Sequence, residues 1–428
     1  MNSNSNFLRL LAYTKQLTSH VNQGRHEQAL SLFHHMHSSL ALPLDPFVFP
    51  LTLKSCSALH RPLLGTSIHA HIAKSALLAN PFVGSSLVDF YGKCVSLRSA
   101  RQLFDEIPLR NIVVWNSMIS LYAHSNDVPT AMSLFESMDV APNASTFNSI
   151  IDSLSRFDSG SYRAIIFYRR MQSFGIKANL ITALALLPGC ARVGAIKLIK
   201  EIHGSSLRND IDQNPQLRSC LVEAYGQCGS LDYAHCIFQG MEERDVVAWS
   251  SLISACALHG EARTALEIFH EMECDQVRPD GITFLGVLKA CSHAGLADEA
   301  KEYVAKMQEV YGVEATSDHY SCLVDVLSRA GRLYEAYDVL TKMPVKATAK
   351  AWGALLGACR TYGDVELAEI AGRALFDIEP NNAANYVLLA RIYASAGRYE
   401  EALKLRREMK ERQVKTAPGS SWGVTQKA

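Results

Sequence analysis

A spacing of 31 to 36 residues recurs along this chain of 428 residues and constrains its fold more than any other feature. Gly260 and Ala265 return as Gly295 and Ala300, each 35 positions later. The same pair of small residues recurs at 24 and 29, 126 and 131 (with Asn in the first place), 229 and 234, 331 and 336, 363 and 368, and 397 and 402. A fixed period in this range is typical of a solenoid built from repeated units.

Each unit has two apolar halves, and both follow a helical spacing. Trp249, Leu252 and Ile253 share one helical face in the first half of a unit, and Ala265 and Phe269 share one in the second. An isolated hairpin of this kind cannot bury its apolar face, so neighbouring units must stack on it. The pattern therefore predicts an all-α fold, an α-solenoid of about a dozen helix-turn-helix repeats.

Glycine and proline occur at the turns and near the ends of these units. The glycine between the two halves, as at Gly260, suits a turn that needs a left-handed residue. Pro142 and Pro279 come near the ends of their units, where a proline blocks continuation of the helix.

The period divides the chain into a repeat array and two flanking segments. A short N-terminal segment covers 1–9, the array covers 10–348, a pair of divergent units covers 349–418, and a tail covers 419–428. Within the array the predicted units are 10–45, 46–80, 81–111, 112–143, 144–179, 180–214, 215–245, 246–280, 281–316 and 317–348.

The charge balance limits the kinds of partner that the chain can bind. Lysine and arginine total 42, and aspartate and glutamate also total 42. A balanced chain cannot hold nucleic acid by charge alone, so any such partner would be held largely through its bases and through locally placed cations. The sequence contains no run of about 18 uncharged apolar residues, and we therefore predict no contact with a membrane.

The cysteines follow the repeat and not a chemical motif. Five of the eleven fall at the same position of their units, namely Cys56, Cys190, Cys256, Cys291 and Cys359, which is typical of packing thiols in a reducing compartment. His259-Gly260-Glu261 fits half of a deaminase motif by spacing, but no Cys-x-x-Cys pair follows it. We therefore predict no catalytic residue, no metal site and no cofactor.

Several segments identify the chain by resemblance. Phe82–Cys94 looks like a short repeat, Asp245–Ile253 like the start of a standard repeat, and Ile196–Gly204 like the second helix of a long repeat. Ala351–Glu369 and Asn385–Leu389 resemble extension motifs. Over about residues 10–422 the chain thus resembles the plant pentatricopeptide repeat family, in the PLS subclass that mixes standard, long and short repeats, with E-type extension motifs and no DYW deaminase domain.

The resemblance implies a right-handed superhelix that binds single-stranded RNA, with one repeat facing one nucleotide. In this family the fifth residue of the first helix and the last residue of the repeat read the base. The matching pairs are Thr14 with Asp45, Ser85 with Asn111, Asn116 with Asn143, Asn148 with Asn179, Ser219 with Asp245, and Ser250 with Asp280. The family's code implies guanine for Thr or Ser with Asp, adenine for Ser with Asn, and a pyrimidine for Asn with Asn.

The long repeats depart from this pattern. Their fifth residues are Pro50, Leu184 and Leu285, whose side chains cannot hydrogen-bond a base, so we expect these units to act as spacers. The pair Ser321 with Thr348, in the last unit of the array, is set apart as a doubtful reader.

The resemblance favours a specificity factor for C-to-U RNA editing in an organelle, which recruits a deaminase in trans through residues 349–418. A role in organellar RNA splicing or stability, or a protein-binding scaffold of the tetratricopeptide type, remains open. Before Asp45 the only acidic residue is Glu27, beside the basic Arg9, Lys15 and Arg25, which is compatible with an organelle-targeting leader and equally with an ordinary N-terminus. We expect the mitochondrion, with the chloroplast as the alternative.

Overall fold

The structure is a computed structural model that describes residues 2–39 and 45–414, and every regular element in these ranges is a helix. Outside the described residues lie Met1, residues 40–44 of the first predicted unit, residues 415–418 of the predicted extension, and the predicted tail 419–428. The predicted all-α helical repeat fold is confirmed.

Twenty-four α-helices succeed one another along the described residues, and a short 3-10 helix, Leu77–Ala79, interrupts them once. The α-helices are α1 (Asn2–Asn22), α2 (His26–Ser39), α3 (Val48–Ala58), α4 (Pro62–Lys74), α5 (Pro81–Cys94), α6 (Leu97–Glu106), α7 (Ile112–His124), α8 (Val128–Glu136), α9 (Ala144–Ser155), α10 (Asp158–Ser173), α11 (Leu180–Arg192), α12 (Ile196–Arg208), α13 (Pro215–Gln227), α14 (Leu231–Gln239), α15 (Val246–Leu258), α16 (Ala262–Cys274), α17 (Gly281–Ala294), α18 (Ala297–Glu309), α19 (Ser317–Arg329), α20 (Leu333–Lys342), α21 (Ala349–Tyr362), α22 (Val365–Ile378), α23 (Ala383–Ser395) and α24 (Tyr399–Glu411).

From α3 onward each predicted unit contains one pair of helices. The chain divides into two compact units, Met1–Ile202 and His203–Ala428. Within each, the first helix of a pair packs against its own second helix and against the first helix of the next pair, as α7 does with α8 and α9, and α15 with α16 and α17. The first helices therefore form a continuous stack in each compact unit.

Left-handed residues turn the chain between the two helices of a pair. Gly260 has φ +83°, and the backbone N–H of Glu261 then donates to the carbonyl of Cys256 at 2.9 Å, which closes the end of α15. Asn126 does the same after α7, with φ +62°. The predicted turn conformation is confirmed at both positions.

Aromatic pairs join the second helix of one pair to the first helix of the next. Phe238 on α14 meets Trp249 on α15 edge to face at 4.7 Å between ring centroids, and Phe104 on α6 meets Trp115 on α7 at 5.0 Å. Both tryptophans are buried, whereas Trp352 at the same phase is half-buried. These contacts bury the apolar face that a single hairpin would leave in water.

The cysteines at the repeated position all lie in the core. Cys56, Cys190, Cys256, Cys291 and Cys359 are each fully buried. Among the residues described, no helix is both long and apolar enough to span a membrane.

Candidate nucleic-acid interface

The last residue of a unit begins the first helix of the next one. Asn143 is the N-cap of α9: its Oδ1 accepts from the backbone N–H of Thr146 at 3.1 Å, and its own N–H donates to Thr146 Oγ1 at 3.1 Å. This reciprocal arrangement satisfies two donors that helix geometry leaves without a partner. Asn111, Asn179, Asp245 and Asp280 are likewise the N-caps of α7, α11, α15 and α17.

The fifth residue of the preceding first helix reaches this cap. Asn116 donates from Nδ2 to Asn143 Oδ1 at 3.2 Å, and its own Oδ1 accepts from Thr146 Oγ1 at 2.6 Å. The two predicted base-reading side chains are therefore held together, and the threonine three residues after the cap orients both of them.

The same triangle recurs one unit later. Asn148 donates from Nδ2 to Asn179 Oδ1 at 3.2 Å and accepts from Thr182 Oγ1 at 2.7 Å. Because the atoms and distances repeat, the geometry belongs to the unit and not to one local environment.

The serine–aspartate pairs use shorter side chains. Ser219 Oγ lies 3.0 Å from Asp245 Oδ1, so this pair is joined directly. Ser250 Oγ lies 2.8 Å from Thr283 Oγ1, whose hydroxyl donates to Asp280 Oδ1 at 2.8 Å. This second pair is thus joined through the intervening threonine.

In two predicted pairs, Thr14 with Asp45 and Ser85 with Asn111, the side chains hydrogen-bond backbone atoms and not each other. Thr14 donates to Leu10 O at 2.9 Å from the middle of α1, a helix that begins at Asn2, ahead of the predicted start of its unit. Ser85 donates to Phe82 O at 3.1 Å. Asp45 accepts from the backbone N–H of Phe47 at 3.0 Å and is not the N-cap of the next helix.

Ser321 and Thr348, which were not counted among the base-reading pairs predicted from the sequence, are joined by a hydrogen bond as several of those pairs are. Ser321 Oγ lies 2.9 Å from Thr348 Oγ1, and Thr348 accepts from the backbone N–H of Ala351 as the N-cap of α21. The sequence held a signal for this, because Thr348 directly precedes a helix as the other caps do.

Solvent reaches the two members of a pair unequally. Asn143, Asn179 and Asp245 are exposed, whereas Asn148 is 6% and Ser219 2% exposed. A ligand that approaches the ends of these helices would therefore meet the cap residue before the fifth residue.

The fifth residues of the long units offer no polar side chain. Pro50, Leu184 and Leu285 are half-buried at this position. Their expected role as spacers stays a prediction, as does base reading by the paired residues.

A charged cleft of about 520 Å³ lies among α22, α23 and α24. Arg398 lines this cleft and pairs with Glu369 on α22 at 2.8 Å and with Glu401 at 2.9 Å. Phe376 stacks on Tyr386 beside it, with ring centroids 3.9 Å apart. The segment thus presents charge of both signs on a packed three-helix support.

Family profiles match this chain at both the repeats and the C-terminal region. The PPR repeat family matches residues 110–156 and 244–293, and the PPR repeat matches 219–246, 282–310 and 318–346. The E motif matches residues 362–423.

Curated relatives cover the chain almost completely. A putative pentatricopeptide repeat-containing protein of Arabidopsis thaliana, At1g03510, is 62% identical over 98% of this chain and 97% of its own length. The chloroplastic pentatricopeptide repeat-containing protein CRR2 of the same species is 35% identical over 93% of this chain, which spans only 56% of that relative.

Solved structures share the fold. The pentatricopeptide repeat protein PPR10 in complex with an 18-nt psaJ RNA element superposes with a TM-score of 0.70 at 20% identity, over 94% of this chain and 61% of PPR10. A crystal structure of PPR10 from maize superposes with a TM-score of 0.56 at 19% identity, over 94% of this chain and 64% of that one. The repeat signatures, the E motif and the relative that matches end to end agree, and the chain therefore belongs to the pentatricopeptide repeat family.

Proposed function

We propose that the chain binds single-stranded RNA and that each standard or short unit reads one base through its fifth and last residues. The observation that carries this proposal is the repeated pair at the ends of neighbouring first helices, with its cap residue exposed. PPR10, which shares the fold, has been solved with an RNA element bound. Side chains held at a regular pitch suit the reading of successive bases.

The aspartate pairs are suited to guanine. Asp245 uses Oδ1 to accept from the backbone N–H of Ala248 at 2.8 Å and from Ser219. The hydrogen bonds within the described part of the chain leave its other carboxylate oxygen available as an acceptor. A carboxylate only accepts, and the Watson–Crick edge of guanine offers neighbouring N–H donors.

The asparagine pairs are suited to a pyrimidine. Asn143 Oδ1 already accepts from Thr146 N–H and from Asn116 Nδ2, so the amide hydrogens of Asn143 are the groups left to face a ligand. Pyrimidines present carbonyl acceptors on their pairing edge, and an amide donor can bind one.

Fluorescence anisotropy with short labelled RNAs tests RNA binding directly. We expect saturable binding to single-stranded RNA, no binding to the matching duplex, and a shallow dependence on salt, because the 42 basic residues are balanced by 42 acidic ones. Absence of binding to any single-stranded RNA would reject the proposal and favour a protein-binding scaffold.

We further propose that the bound protein directs C-to-U editing in an organelle without catalysing it. The E motif match at 362–423 and the mixed charges around Arg398 support a role for residues 349–418 in binding a deaminase supplied by another protein. Plants that lack the protein are expected to leave specific organellar cytidines unedited. Normal editing together with altered splicing or transcript abundance would select the alternative role in RNA splicing or stability.

We propose the mitochondrion as the place of action. Two curated relatives, at 35% and 32% identity, are named chloroplastic, so the chloroplast is the alternative. A fluorescent fusion of the full reading frame, imaged with markers for both organelles, distinguishes them.

A further inference from the structure

Three side chains of different chemical types converge where one repeat meets the next. His235 lies on α14, Cys256 on α15, and Glu261 directly before α16. One ligand atom from each lies within 4.8 Å of the others, and His235 Nε2 is 3.7 Å from Cys256 Sγ. Within the described ranges, this is the one group of at least three His, Cys, Asp or Glu side chains placed closely enough to share a metal ion.

The repeat turn brings two of the three together. Gly260 adopts φ +83°, and the Glu261 backbone N–H then donates to Cys256 O at 2.9 Å. This bond fixes Glu261 beside the end of α15. His235 reaches the same point from the preceding unit, so the group spans the junction between residues 215–245 and 246–280.

The histidine is unusual among the junctions that have a buried cysteine at the phase of Cys256. At the other four junctions with a buried cysteine at this phase, the matching residues are Leu30, Ile165, Leu266 and Tyr337. At these four junctions an apolar or aromatic side chain packs beside the buried cysteine, so packing there does not by itself require an imidazole.

The separation of the histidine nitrogen and the cysteine sulfur fits a tetrahedral zinc ion. Zn–S bonds of about 2.3 Å and Zn–N bonds of about 2.0–2.1 Å place the sulfur and nitrogen ligands about 3.6 Å apart at a tetrahedral angle. The observed separation of His235 Nε2 and Cys256 Sγ is 3.7 Å. Thiolate, imidazole and carboxylate together suit Zn²⁺ better than a hard cation such as Mg²⁺ or Ca²⁺.

We propose that His235, Cys256 and Glu261 form a Zn²⁺ site, with water as the fourth ligand, that clips two neighbouring repeats together. An ion can enter from solvent, because Glu261 is exposed and His235 is half-buried, while Cys256 forms the buried floor. The proposal does not depend on RNA binding.

Zinc binding at this site must displace a proton. Burial raises the pKa of the Cys256 thiol to about 11, and the nearby Glu261 carboxylate adds to the rise. Zinc binds the thiolate, so one proton leaves to the buffer and the affinity falls as the pH is lowered.

Isothermal titration of the chelator-treated full chain with Zn²⁺ tests the site. We expect one zinc ion per chain, with proton release that scales with buffer ionisation enthalpy. H235L, which installs the residue found at positions 30 and 266, is expected to weaken binding by more than about 100-fold, since even loss of an outer-shell partner costs 10- to 100-fold. Co²⁺ in place of Zn²⁺ is expected to give a thiolate charge-transfer band that C256A abolishes.

Matched variants separate this site from other thiols. C291A removes a buried cysteine at the same phase, and C236S removes the exposed thiol beside His235, and both are expected to keep full zinc binding. Circular dichroism checks that H235L and C256A remain folded. No saturable zinc binding by the wild type, or equal binding by wild type and folded H235L, would overturn the proposal.

Discussion

Replacing Ser250 by asparagine tests the pairing geometry at one unit. Ser250 is 4% exposed and contacts Thr283, while Thr283 bonds Asp280. Asn148 occupies the same place in an earlier unit, is 6% exposed, and fits between its own threonine and cap. S250N therefore has a template within the chain, and we expect the fold to accommodate it.

The expected change in base preference follows from the number of hydrogen bonds exchanged. Asp280 is unchanged in the variant, so the change comes from the fifth residue: the serine hydroxyl beside guanine is lost, and the asparagine adds an amide donor that can bond a pyrimidine carbonyl. Each bond contributes about 0.5–1.5 kcal/mol net. The preference should then move by about 1–3 kcal/mol, or roughly 5- to 150-fold in the ratio of the two affinities. Its direction is from guanine toward a pyrimidine at one nucleotide.

Anisotropy titrations with two RNAs that differ only at that nucleotide measure this ratio. S251N is the matched control, because it makes the same substitution one residue along the helix, outside the pair that includes Asp280. The reasoning is refuted if S250N stays folded and its preference is unchanged, or if S251N produces the same change.

Three further predictions concern stability. N143A removes the N-cap of α9 and is expected to cost about 0.5–2 kcal/mol in urea unfolding, whereas N143D, which keeps a capping oxygen, should cost little. G226A places a Cβ 2.4 Å from Ala255 Cβ and should destabilise the fold by about 1–3 kcal/mol. G353A adds a Cβ that meets nothing within 4 Å and should stabilise the fold slightly. Equal melting temperatures for the two variants would contradict this account of the packing. Burial raises the pKa of the Cys291 thiol from 9.0 to about 12. The stabilisation linked to its protonation is therefore complete below pH 9.0 and is lost as the pH rises toward 12. In reducing buffer, the free energy of unfolding should fall between about pH 8 and pH 10.5, and it should fall less for C291A.

The turns were predictable because a single residue decides each of them. Gly260 and Asn126 recur at one phase, and few other residues accept the positive φ required there. The start of α1 at Asn2 was not predictable from the period, because residues 2–9 contain no proline or glycine to stop a helix ahead of the predicted unit.

The candidate site was predictable in position and not in its bonding. The phase identifies Asn116 and Asn143, but the third member, Thr146, comes from the capping geometry of the following helix. A threonine three residues after an Asn or Asp at a helix start could have indicated it. The group around His235 was missed because its three residues come from separate elements and follow no metal-binding spacing in the sequence.

Selection of bound RNA from a random pool with the purified full chain tests the central claim most directly. Six pairs and two intervening long units predict, in array order, guanine, any base, adenine, two pyrimidines, any base and two guanines. A consensus with this order, read in one direction along the RNA, is the predicted result. Bound RNAs without a consensus, or with one that differs at the positions facing Asn116, Asn148, Ser219 and Ser250, would contradict base reading by these pairs.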